Sequence, residues 1–550
     1  MTIVDYSVVL IFIGLLMIVG YPLGKILAKI FDSPRRYWFE DFLSKLLKID
    51  FSPQTLRNYL AHLLILHFFG FIFFVMIVMV PSSVQQPMSF DLAINTAISF
   101  ITNTNWQSYA GELSLSPKMQ MFACTVQNFL SASIGISVLL VFIRGLRAKG
   151  QKEIGNFWQD LIRTSFFVLF PLSFVLSIFL VSTGVPQTFK SSFELKTLEG
   201  EKQTLTLGPV ASQVAIKQLG TNGGGYYAAN GAHPYENPTP LSNFIQILSI
   251  LIIPVALVFM FGQMTGDMKH AVLIYLVMMT LFILFLSLSL WGEHQTNPSA
   301  FHHSYLEGKE SRFSLTESVL WSTATTAASN GSVNSMHSSL SPLSQFAALS
   351  QIVLGEIIFG GVGSGLYGMI LVVILTVFLS GLMVGRTPEY FNKKIDVGDM
   401  KLVLLTLILP SCTILLGTAI SLITPLGLVP RSAAGVHGFS EILYAWSSAA
   451  GNNGSAFGGL GTNTIFYNIG LALAMLIGRF GVLIPVMYLS ERFLMKKNLA
   501  ESSAKLNVNT PIFGFLLLST ILVVGALTFF PALLLGPILE FLLNSKGMNF

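Results

Sequence analysis

The sequence predicts an all-α polytopic membrane protein of about ten transmembrane helices. They are expected to form four repeated units, each a span, a half-buried outer helix, a polar loop and a second span. Three observations predict this. Charged residues are only 10% of the chain, where a soluble globular protein carries roughly 25%. Hydrophobic residues reach 53% of the 550 residues, with a mean hydropathy of +0.69. Small polar segments rich in Asn and Gly return at a near-constant interval between the apolar runs. Such a composition cannot cover a water-soluble surface, so it argues against a disordered chain, a disulfide-stapled secreted domain and a nucleic-acid binder. The pI near 9.0 rests on a net charge of only +5, which in a membrane protein reports topology.

Apolar runs of roughly 20 residues mark the spans. They fall near 4–24, 59–80, 117–146, 161–182, 241–264, 271–290, 350–384, 402–424, 465–490 and 511–541. Met1 to Ser7 carries Asp5 and no basic residue, and the first run lacks a small-residue cleavage site, so it is expected to span. Of the 31 Lys and Arg, 21 fall in one set of alternating loops and 9 in the other, with Arg479 inside a span. The richer side is expected to be cytoplasmic, which places both termini outside. Lys217 belongs to the poorer set. Cys124 and Cys412 sit in apolar runs and are expected to be buried small hydrophobes. His302 and His303 are adjacent in an outer loop, but no H-E-x-x-H or Cys/His cluster accompanies them, so no zinc site is expected.

The repeat is carried by four polar segments. They read Thr102-Asn103-Thr104-Asn105-Trp106-Gln107, Gly220-Thr221-Asn222-Gly223-Gly224-Gly225-Tyr226, Ala328-Ser329-Asn330-Gly331-Ser332 and Gly451-Asn452-Asn453-Gly454-Ser455-Ala456-Phe457. Aligned on Asn105, Gly223, Gly331 and Gly454, they lie 118, 108 and 123 residues apart. Each follows a run of helical character, at 91–101, 210–219, 315–327 and 439–450. Non-helical backbone at membrane depth is tolerated only where protein buries it or it lines a watery cavity. Four loops converging on one axis meet that condition. Dehydrating K⁺ requires oxygen dipoles to replace its water, and rings of backbone carbonyls supply them. Glycine at the last position of a triplet permits positive φ and lets successive carbonyls point inward. The preceding helices can aim their C-terminal dipole ends at a cation. No carboxylate lies in the four triplets, which suits a monovalent ion better than Ca²⁺ or Mg²⁺.

Two ionisable residues fall inside apolar runs, Glu356 and Arg479. A mid-membrane charge costs roughly 2.5–3.5 kcal/mol, so each should face a pore or a partner. They could pair with each other. Alternatively they lie below the loops, where Arg479 would block a straight leak and Glu356 would draw the ion sideways. The run 350–384 is longer than one span needs, and its Gly-rich stretch from Gly360 to Gly368 is expected to break it into an intramembrane loop. Its G-x-G pattern has no strand–helix context, so nucleotide binding is not expected.

At this point the sequence resembles a known family, the potassium-binding subunits (KdpA) of the Kdp potassium-transporting P-type ATPases of prokaryotes. The residues that carry the resemblance extend over essentially the whole chain. They are Thr102 to Gln107, Thr125-Val-Gln-Asn-Phe-Leu-Ser131, Gly220 to Gly225, Glu307-Gly-Lys-Glu-Ser-Arg-Phe313, Gly360 to Gly368, Gly385-Arg-Thr-Pro-Glu-Tyr390, Asn452 to Phe457 and Gly478-Arg-Phe-Gly481. The resemblance implies the fold of the K⁺ transporter superfamily that contains Trk, Ktr and HKT proteins, which is four span–pore-helix–span repeats around a pseudo-fourfold pore. It implies filter positions at Asn103, Thr104, Asn105; Thr221, Asn222, Gly223; Ser329, Asn330, Gly331; and Asn452, Asn453, Gly454. By motif match it adds Gln107 and Arg386 to Glu356 and Arg479 as candidates for the ion pathway and its gating. Three positions depart from expectation. Asn105 stands where the other triplets have Gly, so the first loop is not assumed to offer the same carbonyls. Asn330 stands where a smaller residue such as Cys is expected, and Gly451 where another Asn is expected.

The family implies K⁺ as the transported ion with no organic cofactor. It implies a catalytic P-type ATPase partner (KdpB), small membrane subunits (KdpC, KdpF) and a prokaryotic cell membrane. The chain has no Asp-Lys-Thr-Gly motif and no G-x-x-x-x-G-K-[ST] loop, so it is expected to be a non-catalytic subunit. K⁺ would pass laterally from the filter into the catalytic subunit. The rival reading is a stand-alone K⁺ channel or secondary transporter of Trk/Ktr type. One transport domain is expected over 1–550: a first span and loop at 1–58, repeats at 59–146, 161–264, 271–384 and 402–490, and a final span at 511–550.

Overall fold

The structure, a computed structural model, describes residues 3–80, 88–294, 307–499 and 506–546. His302 and His303 lie outside the described residues. Ten described helices are long and apolar enough to cross a membrane: Asp5–Phe31, Leu56–Val78, Pro117–Arg147, Phe157–Ser182, Pro240–Thr265, Met268–His294, Ser364–Val384, Val397–Ile423, Ile465–Met495 and Pro511–Ser545. Each falls on one of the ten predicted runs. The chain is therefore a multi-pass, overwhelmingly helical membrane protein. Two short antiparallel ribbons decorate its connections, Ser192–Lys196 with Lys202–Thr206 and Glu389–Tyr390 with Lys393–Lys394.

Four shorter helices enter between the spans: Phe90–Ile101, Val210–Leu219, Leu315–Ala327 and Gly435–Gly451. These pore helices are largely buried, and each ends at one of the four polar loops. Their sequences explain the placement. They are too short to cross the hydrocarbon, and they carry Ser, Thr and Asn that lipid would not accept. The third starts on a capping box, in which Ser314 accepts from Glu317 N and Glu317 accepts from Ser314 N.

The long run at 350–384 does break, as its glycines predict. A half-helix, Pro342–Val353, stops short, and Ser364–Val384 resumes after an irregular link. Gly355, Glu356, Phe359, Gly360 and Gly363 in the link all have left-handed φ, between 51° and 89°. For Glu356 and Phe359 this conformation costs on the order of 1 kcal/mol each or more. The surroundings hold it. Gly360 N donates to Ala327 O at 2.9 Å, and Val362 N donates to Thr221 Oγ1 at 2.9 Å. The link thus binds the end of the third pore helix and the start of the second polar loop. It also runs in backbone contact with the third span: a Cβ on Gly363 would stand 2.1 Å from Gly135 O, and one on Gly135 would stand 2.4 Å from Val362 O.

The face opposite the loops is fastened by ion pairs. Arg163 bonds Glu40 at 2.7 Å and also donates to Ile30 O, Ser33 O and Arg35 O, closing the end of the first span. Arg144 grips Asp160 at 2.6 and 2.7 Å, and Tyr59 donates to the same carboxylate. Lys393 donates to Gly145 O and Phe493 O, two carbonyls near the C-terminal ends of the third and ninth spans. Such cations cap helix ends as well as marking a side. The cysteine expectation holds for Cys124 and not for Cys412, which is exposed on the eighth span at the margin of a cavity.

The crossing at Gly363 generates a stability prediction. Gly363→Ala combines left-handed strain with overlap on the third span. Gly385→Ala has comparable φ (68°) but nothing within 4 Å of its Cβ. Both should melt lower in detergent, Gly385→Ala by about 1 kcal/mol and Gly363→Ala by roughly 2–4 kcal/mol. Equal melting temperatures would contradict the close crossing.

Candidate functional site

The structure brings all four predicted triplets together at the ends of the pore helices. Each loop has one backbone plan. The first and third residues are left-handed: Asn103 and Asn105, Thr221 and Gly223, Ser329 and Gly331, Asn452 and Gly454. Asn105 adopts at φ 52° the conformation that Gly takes elsewhere, which Asn tolerates better than most residues. The first loop therefore shares the backbone plan of the others, despite its missing glycine.

The loop N–H groups fold back on their own pore helices. Thr104 N and Asn105 N donate to Ser99 O, and Asn222 N and Gly223 N to Lys217 O. Asn330 N donates to Thr325 O, Asn453 N to Ser448 O and Gly454 N to Ser448 Oγ. In a trans peptide the C=O points opposite to the N–H. The carbonyls preceding these amides therefore turn away from the helices, toward the neighbouring loops and the space between them.

The loops also close on one another. A Cβ on Gly223 would lie 1.8 Å from Asn330 O, one on Gly331 2.1 Å from Asn453 O, and one on Gly454 1.9 Å from Thr104 O. The same relation thus links second loop to third, third to fourth and fourth to first. The ring closes where Asn103 Nδ2 donates to Thr221 O at 2.9 Å and Asn105 Nδ2 to Gly223 O at 3.1 Å. Asn105 thus supplies a side-chain amide where the other loops supply bare backbone.

The departure at Asn330 has a structural reason. Its Nδ2 donates to Lys217 O at 3.0 Å, and its Oδ1 accepts from Ser332 N and Ser332 Oγ. Asn453 repeats this in the fourth loop, donating to Thr325 O at 3.1 Å and accepting from Ser455 N and Oγ. The shared Asn-Gly-Ser sequence makes the two loops equivalent. Gly451 closes the fourth pore helix, and a Cβ there would touch the Glu356 carboxyl at 3.5–3.6 Å. The missing side chain leaves room for that carboxylate.

Beneath the ring lies a cavity of about 510 Å³, lined by Asn103, Ser329, Asn452, Glu356 and Arg479 together with apolar side chains of the last four spans. Glu356 faces Ser329 and Asn453, and its Oε1 has no hydrogen-bond partner. Arg479 Nη2 donates to Ser131 O at 3.0 Å, and its Nε is unpartnered. No ion pair within 4 Å joins the two among the described residues, so they serve the cavity separately.

Gln107 lies at the other end of the ring. Its Oε1 accepts from Gly225 N at 2.8 Å and its Nε2 donates to Gly225 O at 3.1 Å, bracing the second loop. Arg386 is not brought to the site: it is exposed just beyond the end of the seventh span. Sequence reasoning missed two sets of residues. Asn128 and Ser131 on the third span bond Asn105, Asn222 and Asn103. Their i, i+3 spacing of polar groups in an apolar run was the available signal. Lys217, counted as a loop cation, is buried in the second pore helix against Glu236.

Comparison with known proteins gives one family. The model of the potassium-transporting ATPase A subunit family matches residues 10–542. A potassium-transporting ATPase potassium-binding subunit from Leptospira interrogans serogroup Icterohaemorrhagiae serovar copenhageni is 48% identical over 557 residues, covering 99% of this chain and 100% of its own. One from Pseudomonas entomophila is 45% identical over 559 residues, covering 98% and 99%. Among solved structures, the potassium transporter TrkH from Vibrio parahaemolyticus aligns with a TM-score of 0.48 at 15% identity, over 72% of this chain and 77% of that one.

The Asn330 brace is testable by stability. Asn330→Ala leaves the buried Ser332 N without its partner and removes one of three donors on Lys217 O, and should lower stability by about 1–3 kcal/mol. Thermal melting of the purified chain checks this, and an unchanged melting temperature would contradict the brace.

Proposed function

The chain belongs to the potassium-transporting ATPase A subunit family, and on that premise we propose that it binds K⁺ in the ring of four loops and passes it to a catalytic P-type ATPase subunit. It is a potassium-binding, non-catalytic subunit of a Kdp-type complex. The finer reading is high-affinity uptake from the extracytoplasmic side. The partners are a phosphorylated subunit (KdpB) and small subunits (KdpC, KdpF), in a prokaryotic cell membrane with both termini outside. The transport domain divides into its four pore repeats as the sequence lays them out.

One observation carries the reading. In every loop the N–H of the middle triplet residue is committed backward to its pore helix, so the carbonyl before it turns toward the shared space, and no triplet carries a charged side chain. Neutral oxygen dipoles in a closed ring suit a dehydrated monovalent cation. The pore helices direct their negative ends at it. The triplet residues are its ligands, and Gln107 keeps the entrance in shape. Below the ring, Ser329, Asn452 and Glu356 offer oxygens, while Arg479 repels the ion from the straight descent. The cavity reaches Ile521 and Phe529 of the tenth span, which suits a sideways exit. Arg386 has no part in this path.

Proteoliposomes test the reading. The chain alone should give little K⁺ flux, and co-reconstitution with its ATPase subunits should give K⁺-stimulated ATP hydrolysis. Robust flux without ATP or partners would favour the stand-alone channel. In the same vesicles Arg479→Ala should raise passive K⁺ flux roughly tenfold or more, as removal of an electrostatic barrier of about 1.4 kcal/mol would. Wild-type coupling in that variant would remove Arg479 from the path.

A further inference from the structure

The four pore helices share a position that the repeat arithmetic does not reveal. Five residues before the middle of each triplet stand Ser99, Lys217, Thr325 and Ser448. Three are hydroxyls and one is an ammonium. Each makes a hydrogen bond inside its own repeat. Ser99 Oγ donates to Trp106 O at 3.0 Å, Thr325 Oγ1 donates to Asn330 Oδ1 at 3.3 Å, and Ser448 Oγ accepts from Gly454 N at 2.9 Å. Lys217 Nζ donates to Gly224 O at 2.9 Å.

Trp106 and Gly224 occupy the same place in their loops, immediately after the triplet. Ser332 is their counterpart in the third loop, and its carbonyl accepts from Trp321 Nε1 at 2.8 Å. In three of the four loops, then, the carbonyl above the triplet is bound by a donor from its own pore helix. That carbonyl is withdrawn from the ring, so the dehydrating site ends at the triplet. Only in the second loop is the donor charged.

The charge is fully matched. Lys217 is 1% exposed and Glu236 0%. The ammonium uses its three donors on Gly224 O, Asn230 Oδ1 and Glu236 Oε2. Glu236 Oε1 accepts from Tyr227 N at 2.9 Å, so the carboxylate holds the next turn of the same loop. Burying such a pair is costly, and a hydroxyl at the equivalent position suffices elsewhere. A charge-assisted bond is roughly twice as strong as a neutral one. The second loop also lacks the Ser that braces the third and fourth, carrying Gly224 and Gly225 in its place.

We propose that Lys217, held by Glu236, is a positioning residue that sets the ring's affinity and preference for K⁺ by fixing the Gly224 carbonyl outside the dehydrating site. This rests on the reading of the ring as the K⁺ site. Without the ammonium, a loop with three consecutive glycines loses its only side-chain anchor on that carbonyl among the described residues, and the ring opens to ions of other sizes.

The test is titration calorimetry of K⁺ and Rb⁺ on the purified full chain. The variants are Lys217→Met combined with Glu236→Gln, which leaves no buried carboxylate unpaired, and Ser99→Ala, which removes the neutral counterpart in the first loop. The double variant should bind K⁺ about tenfold more weakly and change the K⁺/Rb⁺ affinity ratio at least about threefold, the scale of a lost hydrogen bond. Ser99→Ala should move both in the same direction by about twofold to threefold. A merely structural role would lower the binding stoichiometry and leave the affinity and the ratio unchanged, and that result overturns the proposal. If the double variant does not fold, Ser99→Ala decides: an unchanged ratio overturns the proposal and a shifted one supports it. A wild-type chain that binds no K⁺ retires the underlying reading, and the proposal with it.

Discussion

Irregular backbone inside a membrane has no water to satisfy it, and the rest of the molecule follows from how this chain meets that demand. Each loop returns its N–H groups to the last turn of its own pore helix. Peptide geometry then fixes where the carbonyls go. Most of the donors are committed at the periphery, the carbonyls not taken by Asn103, Asn105 or Ser329 side chains remain for the centre, and the centre can be satisfied only by other donors or a cation. The left-handed residues at the first and third positions are the conformational cost of this arrangement. The bonds between repeats made by Asn103 and Asn105 to a neighbouring loop, and by Asn330 and Asn453 to a neighbouring pore helix, hold it in place.

The same demand explains the economy of charge. Cations on the face opposite the loops are tied to carboxylates or helix ends, as with Arg163, Arg144 and Lys393. Near the ring, charges stand beside or below it and never within a triplet. Lys217 and Glu236 neutralise each other beside the second loop, while Glu356 and Arg479 keep unpartnered atoms in the cavity below. The broken link at 354–363 connects these features. It binds Thr221 of the ring, caps the third pore helix through Gly360, and places Glu356 under Ser329.

Much of this was legible in the sequence, because the signals were local. Ten apolar runs, four amphiphilic helices and four Asn- and Gly-rich loops could each be read within a window of twenty residues. The break at Gly360 could be read from excess length. What was hidden depends on side-chain contacts that no local pattern encodes, at separations of 19 to 113 residues. Asn330 looked anomalous until its amide met Lys217 O, and Gly451 until Glu356 occupied the space beside it. Lys217 counted as a loop cation because its counter-charge lies 19 residues downstream. Arg386 sits in a matching motif, yet it is exposed and does not line the cavity. A motif fixes the identity of a residue, and the packing around it decides its use.

On the proposed function, neutral carbonyls of the four loops form one ion site. Anomalous diffraction or difference density from the Rb⁺-soaked protein tests it most directly. The expected result is a Rb⁺ peak enclosed by all four triplets, within coordinating distance of backbone oxygens and with no carboxylate among its ligands. A peak lying instead against Glu356, with the ring empty, would contradict it.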